Sequence, residues 1–425
     1  MINKILSTVG SKFLVTLLNF VIVVLTAKFM GANGRGQISL FVLNLTIVKM
    51  VNDFIGGSSL VFLVSRAKLS ELIFPSYMWA ILSAVFATII IYLLNLENNI
   101  IHLFFLSLLL SLNSIHLTVL LGKEKITAHN VLSVGQVLLL LVGILWFYFL
   151  PNVEIKFIHY LYALYISFGI QFIFSLHQLL RLHWGNLAVF SFVRLKQLLT
   201  YGVYIQLGNI AQLFNYRLSY YLLDQFHADG KEQVGIYSVA IQLAEGLWIV
   251  SRSISMVQYS AIANSKDENY AIPLTVNLIK LNVVLMLMAL AVITLIPASF
   301  YVFIFGVEFM QVKKIILCLA PGILAFSVSG SLSHYFSGIG KYPINTVSSS
   351  FGLVVTIVFA FLLIPKYGFF GAAFTASASY LVSTIYQLLI FIRQTKISWT
   401  TFLISLDDIN QLKLQFTKSW QQFNK

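Results

Sequence analysis

Three ionisable side chains stand where hydrocarbon is expected. Arg217, Glu245 and Arg252 fall inside the two long apolar runs between Thr200 and Tyr259. A charge at bilayer depth costs from about 2.5 to more than 10 kcal/mol, so such residues face an interior cavity and meet one another or a charged ligand. Glu245 and Arg252 are seven residues apart, which puts them on one helix face two turns apart. A guanidinium suits planar, bidentate recognition of phosphate. The chemistry implied is the binding of an anion.

Other polar stripes point the same way. Thr46, Lys49 and Asp53 share one face, and the i, i+4 spacing of Lys49 and Asp53 allows an ion pair. Gln206, Asn209, Arg217 and Tyr220 form a second stripe; Lys12, Thr16 and Asn19 form a third. Together with Glu245, Trp248 and Arg252 they imply a wet central cavity. Three basic groups (Lys49, Arg217, Arg252) against two acids (Asp53, Glu245) leave one positive charge for an anion. The alternative is a set of closed structural pairs, and Arg217 is also placed to snorkel to an interface. No phosphate-binding glycine loop, HExxH or nucleophile elbow is present. His102, His116, His177 and His334 lack metal-ligand spacing, and the single Cys318 excludes a disulfide framework. The expectation is a protein that is not an enzyme, with no cofactor, no metal and no nucleic-acid partner.

The elements that must position these groups are membrane helices. Of 425 residues, 59% are apolar and 10% charged, against about 25% charged in a soluble domain. Runs of about 20 apolar residues cross a bilayer. Cutting at charge and Pro/Gly clusters predicts twelve, at 10–30, 38–64, 76–95, 100–121, 131–150, 158–180, 200–222, 234–257, 274–297, 313–336, 345–364 and 370–392. The fold class is therefore all-α and polytopic, with Pro321 inside the tenth span predicting a kink there. With both termini cytoplasmic, 16 Lys and Arg lie on the inner side and 6, Arg35 among them, on the outer, which fixes the orientation. A repeat appears at a spacing of about 200 residues: Gly36-Gln-Ile-Ser-Leu-Phe-Val-Leu aligns with Gly235-Ile-Tyr-Ser-Val-Ala-Ile-Gln, and Phe149-Leu150-Pro151 with Leu363-Ile364-Pro365. It divides the chain into six-helix bundles at 1–180 and 200–392, joined by a cytoplasmic linker at 181–199. Residues 393–425 form a tail in which Ile409, Leu412, Phe416, Trp420 and Phe423 fit an interfacial amphipathic helix. Parallel repeats of this kind permit alternating access.

Four stretches carry a family resemblance. Ala27-Lys-Phe-Met-Gly-Ala-Asn-Gly-Arg-Gly-Gln-Ile-Ser-Leu resembles the segment after the first span of bacterial polysaccharide (O-antigen) flippases of the Wzx type, in the superfamily of MATE exporters and lipid II flippases. Val234-Gly-Ile-Tyr-Ser-Val-Ala, Leu319-Ala-Pro-Gly-Ile and Leu363-Ile-Pro-Lys-Tyr-Gly-Phe-Phe-Gly-Ala-Ala extend the likeness over roughly residues 10–392. The resemblance implies a MATE-like bundle pair in the bacterial cytoplasmic (inner) membrane. Its cargo would be undecaprenyl-pyrophosphate-linked oligosaccharide for O-antigen or capsule assembly, with membrane lipids, a polysaccharide polymerase and a chain-length regulator as partners. It implies that Arg252, Arg217, Lys49 and Lys12, with Asn19, Gln206 and Asn209, line the cavity. Asp53 and Glu245 become candidates for coupling to H+ or Na+. The family commonly has basic residues in the first, second and eighth spans; this chain has Arg252 in the eighth and lysines in the first two. The competing reading is a cation-coupled multidrug exporter of the same fold, which generally needs a buried acid in the first or seventh span. Neither span has one here.

Overall fold

Single glycines break the chain where polar loops were expected. The computed structural model describes residues 2–150, 154–182, 190–265 and 270–402. Helix α1 runs Ile2–Gly56 and reverses only at Gly31, whose φ of 67° and ψ of −175° leave the helical region. Helix α12 runs Pro343–Thr395 and does the same at Gly368, with φ 53° and ψ −133°. Both conformations are open to glycine because no Cβ meets the neighbouring carbonyl. The polar run Gly31–Gly36 is thus helical after its first residue, and Arg35 lies inside α1 rather than in an outer loop.

Between them run α2 (Ser58–Val64), α3 (Leu69–Leu93), α4 (Ile100–Gly122), α5 (Ile126–Phe149) and α6 (Phe157–Leu180). Then come α7 (Phe192–Phe226), α8 (Gly230–Asn264), α9 (Ala271–Leu295), the short α10 (Ala298–Phe305) and α11 (Val312–Gly338). No strand occurs among the described residues. By length and composition eight of these helices can cross a membrane, and α8, bent by 43° between Gly230–Ile249 and Ile254–Asn264, makes a ninth. At 55 and 53 residues, α1 and α12 are each about 80 Å of helix, enough for two crossings of a 30 Å core. With the 35-residue α7, the arrangement accommodates twelve crossings. Large apolar side chains stand out on the surface, Leu295 at 82% exposure, as only a lipid-facing surface tolerates in such number. This is an all-α, multi-pass membrane protein.

Contacts divide the chain into two compact units, Met1–Val239 with Tyr301–Met310, and Ala240–Phe300 with Gln311–Lys425. In the first unit, one apolar core joins α1, α3, α4, α5 and α6 around Phe41, Leu103, Leu106 and Leu161. A second, around Ile55, Leu60, Leu72 and Val119, ties α1 to α2, α3 and α4, with Leu198 of α7. α7 starts at Phe192, within the stretch expected as a linker. The Ser191 side chain accepts from the Arg194 N–H there, and Arg194 Nε donates to Glu71 Oε2 of α3 at 2.9 Å.

In the second unit α9, α11 and α12 pack around Ile279, Leu332, Phe336 and Phe391. Small polar residues join the two halves of α12: Ser348 Oγ donates to Ser383 O at 2.9 Å and Ser383 Oγ returns a bond to Ser348 O at 3.1 Å. Such bonds replace the hydrophobic drive that lipid removes. Pro321 sits within the unbroken α11, and Ser377 Oγ donates to the neighbouring Cys318 carbonyl at 2.8 Å. The tail positions from Ile409 to Phe423 lie outside the described residues.

Candidate functional site

The two segments aligned in the sequence meet in the structure. A Cβ on Gly36 would be driven into the Lys231 carbonyl, and one on Gly235 into the Ala32 carbonyl. Each glycine thus meets the carbonyl four residues before the other, so the two aligned segments cross backbone to backbone about a local twofold. Only a residue without a side chain permits this approach. One turn earlier, Gly31 leaves the N–H of Ala32 without a helical partner, and the Glu308 carboxylate accepts it. An anion at this helix start also meets the positive end of the helix dipole.

Further along α1, the first unit gathers four of the expected site residues. The Lys49 ammonium donates to Asp53 Oδ2, with the two side chains 36% and 13% exposed. Asp53 Oδ1 accepts from Ser114 Oγ of α4 at 3.3 Å. Gly202 of α7 lies directly on the Phe54 carbonyl, which brings Gln206 to Gly57; a Cβ on Gly57 would lie 3.0 Å from Gln206 Nε2. Gln206 is buried, and its Oε1 accepts from Asn209 Nδ2 at 3.0 Å. Lys49, Asp53, Gln206 and Asn209 therefore meet where α1 packs on α7. The lysine's charge is spent on Asp53.

Arg217 stands apart from that group. Its Nη1 donates to the Tyr220 hydroxyl at 2.9 Å and its guanidinium lies 5.2 Å from the Tyr220 ring. Arg35 is only 9% exposed, with Nη1 3.4 Å from Thr26 Oγ1 and Nε without a partner. Lys12 is exposed and Asn19 half-buried on the first half of α1; neither shares a hydrogen bond with the Lys49–Asp53 group among the described residues.

In the second unit, Arg252 lies at the bend of α8. It is exposed, with its guanidinium 5.9 Å from the Trp248 ring and 5.8 Å from Phe326. Trp248 packs on Phe326 at 4.2 Å and on Tyr380 at 5.6 Å, and its Nε1 donates to the Ile323 carbonyl at 3.3 Å. The Trp248 and Phe326 rings thus lie beside the guanidinium, and Tyr380 of α12 packs on both rings. Among the described residues no carboxylate pairs with Arg252; Glu245 lies half-buried two turns before it. A cation held over aromatic faces and open to its surroundings has the chemistry to meet an anion.

Sequence reasoning did not find Arg35, Glu308, Phe326 or Tyr380. The polar composition of Gly31–Gly36 reads as a loop, and the others act across long chain separations. The Gly36–Gly235 alignment, read from the sequence as a repeat, links two segments that meet in the structure. His116 is a packing group, as its spacing implied. Its ring bonds to the Tyr77 hydroxyl and, at 2.7 Å, to Ser175 Oγ.

No family model matches the sequence. In structure the chain is similar to the lipid II flippase MurJ in an inward closed conformation, with TM-score 0.74 and 15% identity over 98% of this chain and 93% of that one. It is similar to an inward-facing multidrug resistance MATE family transporter of the MOP superfamily, at 0.72 and 15% over 90% and 94%. A MOP superfamily transporter from Pyrococcus furiosus, reported with a binding pocket of reverse polarity, scores 0.62 at 14% identity over 94% and 96%.

The fold is MATE-like.

In sequence the matches are partial. A segment of 204 residues is 24% identical to an uncharacterized membrane protein of Methanocaldococcus jannaschii, spanning 47% of this chain and 40% of that protein. A segment of 83 residues is 39% identical to the capsular polysaccharide biosynthesis protein CapF of Staphylococcus aureus, spanning 19% of this chain and 21% of that protein. The matched segments thus cover less than half of either relative. At these identities the structural likeness establishes the fold, and the chemistry has to come from the site.

Proposed function

We propose that this protein is a flippase for undecaprenyl-pyrophosphate-linked oligosaccharide, working by alternating access in the cytoplasmic membrane to supply surface polysaccharide assembly. The observation that carries this reading is Arg252, a cation at membrane depth, seated on aromatic rings, with no carboxylate partner among the described residues. A pyrophosphate headgroup cannot enter hydrocarbon unaided, because burying an uncompensated charge is prohibitive. An unspent guanidinium compensates it. Arg217 and Lys12 add positive charge, while Asn19, Gln206 and Asn209 offer hydrogen bonds to sugar hydroxyls. Lys49, tied to Asp53, serves as part of a polar wall. The flippase among the similar folds and the capsular protein among the partial relatives support this reading. Glu245 is the protonatable group for coupling, Asp53 being tied to Lys49, the two six-helix halves of the repeat are the moving bodies, and both termini are cytoplasmic. A polymerase and a chain-length regulator would receive the exported unit.

The test is complementation in the source strain. Deleting the gene abolishes surface polysaccharide, the wild-type copy restores it, and Arg252→Ala at matched expression does not. Unchanged polysaccharide with new drug sensitivity would overturn the reading in favour of a multidrug exporter.

A further inference from the structure

We infer that the second unit carries a binding site for an anionic bilayer phospholipid. One acyl chain lies in a groove between α11 and the two halves of α12, and the phosphate meets Lys314 and Lys366. The groove has a volume of about 770 Å³, within the range of about 300–1,000 Å³ usual for ligand sites. Leu317 and Pro321 line it from α11, Phe359 and Leu363 from the first half of α12, and Phe374 and Leu381 from the second. Its wall offers little to a polar ligand, because the Ser377 hydroxyl is spent on the Cys318 carbonyl at 2.8 Å. Such a wall suits a hydrocarbon chain and leaves a sugar or an ion unsatisfied.

Side-chain hydrogen bonds fix the register of the three helical segments. Ser377 Oγ donates to the Cys318 carbonyl and Thr384 Oγ1 to the Ala325 carbonyl, both at a separation of 59 residues. α11 and the second half of α12 therefore run in the same direction. Ser348 Oγ donates to the Ser383 carbonyl and Ser379 Oγ to the Gly352 carbonyl, so the first half of α12 runs against them. All three segments have one end at the Gly368 reversal. Lys314 stands at that end of α11, on the stripe of Leu317, Cys318 and Pro321, and Lys366 at that end of α12, on the stripe of Phe359 and Leu363. Helical Cα–Cβ bonds tilt toward the N-terminus. Lys314, in the first turn of α11, thus reaches out past the groove, while Lys366, at the close of its segment, leans back toward it.

Charge decides the headgroup. Neither α11 nor α12 contains an acidic residue, and among the described residues Lys314 and Lys366 form no ion pair. Both lysines are exposed, and Tyr367, at 58% exposure, stands beside them. Lysine and tyrosine at the end of an apolar wall mark the level of the lipid headgroups, where basic pockets between helices hold anionic ones. Length decides the tail. From Phe359 to Tyr367 the wall is about 12 Å long, and one leaflet holds about 15 Å of hydrocarbon. A resident phospholipid of one leaflet fits that depth, whereas a long isoprenoid tail extends well beyond it. The site stands whether or not the transported cargo is a lipid-linked saccharide.

The test is the thermal stability of the delipidated full-length protein in detergent, titrated with dioleoylphosphatidylglycerol or dioleoylphosphatidylcholine. The two lipids share their chains and differ in net charge. Wild type is expected to gain about 2–5 °C more from phosphatidylglycerol, since a ligand bound only to the folded state raises the midpoint. The Lys314→Gln/Lys366→Gln double variant alters two exposed side chains without ion pairs, so it should keep the lipid-free midpoint and lose that difference. Ala378→Phe fills the groove from the second half of α12 and should lose it as well. If Ala378→Phe fails to fold, the smaller Ala378→Leu takes its place. No excess for phosphatidylglycerol in wild type, or an excess that survives in the lysine or the filled-groove variant, would overturn the site. Stabilisation by undecaprenyl phosphate but not by phosphatidylglycerol would also overturn it, giving the groove to the carrier lipid.

Discussion

The stripes of α1 and α8 that the repeat relates have opposite electrostatic fates. On α1, Lys49 and Asp53 neutralise each other one turn apart, and Ser114 anchors the acid. On α8, at the positions the alignment matches to Thr46 and Asp53, stand Glu245 and Arg252, and Arg252 lies across the Trp248 and Phe326 rings. Spacing accounts for the difference. Four residues bring an ammonium onto a carboxylate one turn away, whereas seven leave two turns, about 10 Å, between the groups. One stripe is a structural clasp, and the other keeps a charge available. One helix thus carries a closed ion pair, and the other a guanidinium with no carboxylate partner among the described residues.

The comparison breaks first at the crossing that holds these segments together. Gly36→Val or Gly235→Val forces a branched side chain into a backbone carbonyl, and each should lower stability by more than about 3 kcal/mol. Melting of the detergent-solubilised protein reads this as a drop of several degrees or as loss of folded protein. Next is the open charge. Arg252→Ala removes a charge-assisted contact to the headgroup of about 1.5–3 kcal/mol, an expected loss of about 10- to 100-fold in transport at unchanged melting temperature. The clasp should behave in the opposite way. Asp53→Asn and Lys49→Met each cost about 1 kcal/mol of stability, less than for a fully buried pair because Lys49 is partly exposed. The double variant should recover most of that loss, which a double-mutant cycle measures directly. The smallest effect is expected from Glu308→Gln, which weakens the cap on Ala32 by about 0.5–1 kcal/mol and leaves transport intact.

Much of this fold was legible because lipid imposes simple rules. Apolar runs marked α4, α6 and α9 to within three residues and α3 and α5 to within seven, and the i, i+4 rule found the Lys49–Asp53 pair. The positions of the chain reversals were legible, in the cuts at 30–38 and 364–370, but their form was not. Gly31 and Gly368 turn the backbone by a dihedral choice that hydropathy does not encode, so the polar residues beside Gly31 read as loop and Arg35 was assigned to water. The aromatic seat of Arg252 was half visible: Trp248 lies on the same helix, but Phe326 and Tyr380 arrive from α11 and α12. The groove between α11 and α12 was invisible for the same reason. Each of its residues is ordinary in its own helix and becomes part of a site only through its neighbours.

The most direct test of the central claim is translocation in proteoliposomes carrying a fluorescent polyprenyl-pyrophosphate-linked saccharide. Wild type, Arg252→Ala and the Lys49→Met/Asp53→Leu pair would be compared at equal protein density. The account predicts that Arg252→Ala loses at least tenfold in initial rate while the paired variant stays within about threefold of wild type. Equal rates for Arg252→Ala and wild type would contradict it, leaving the arginine as a structural group on its aromatic seat.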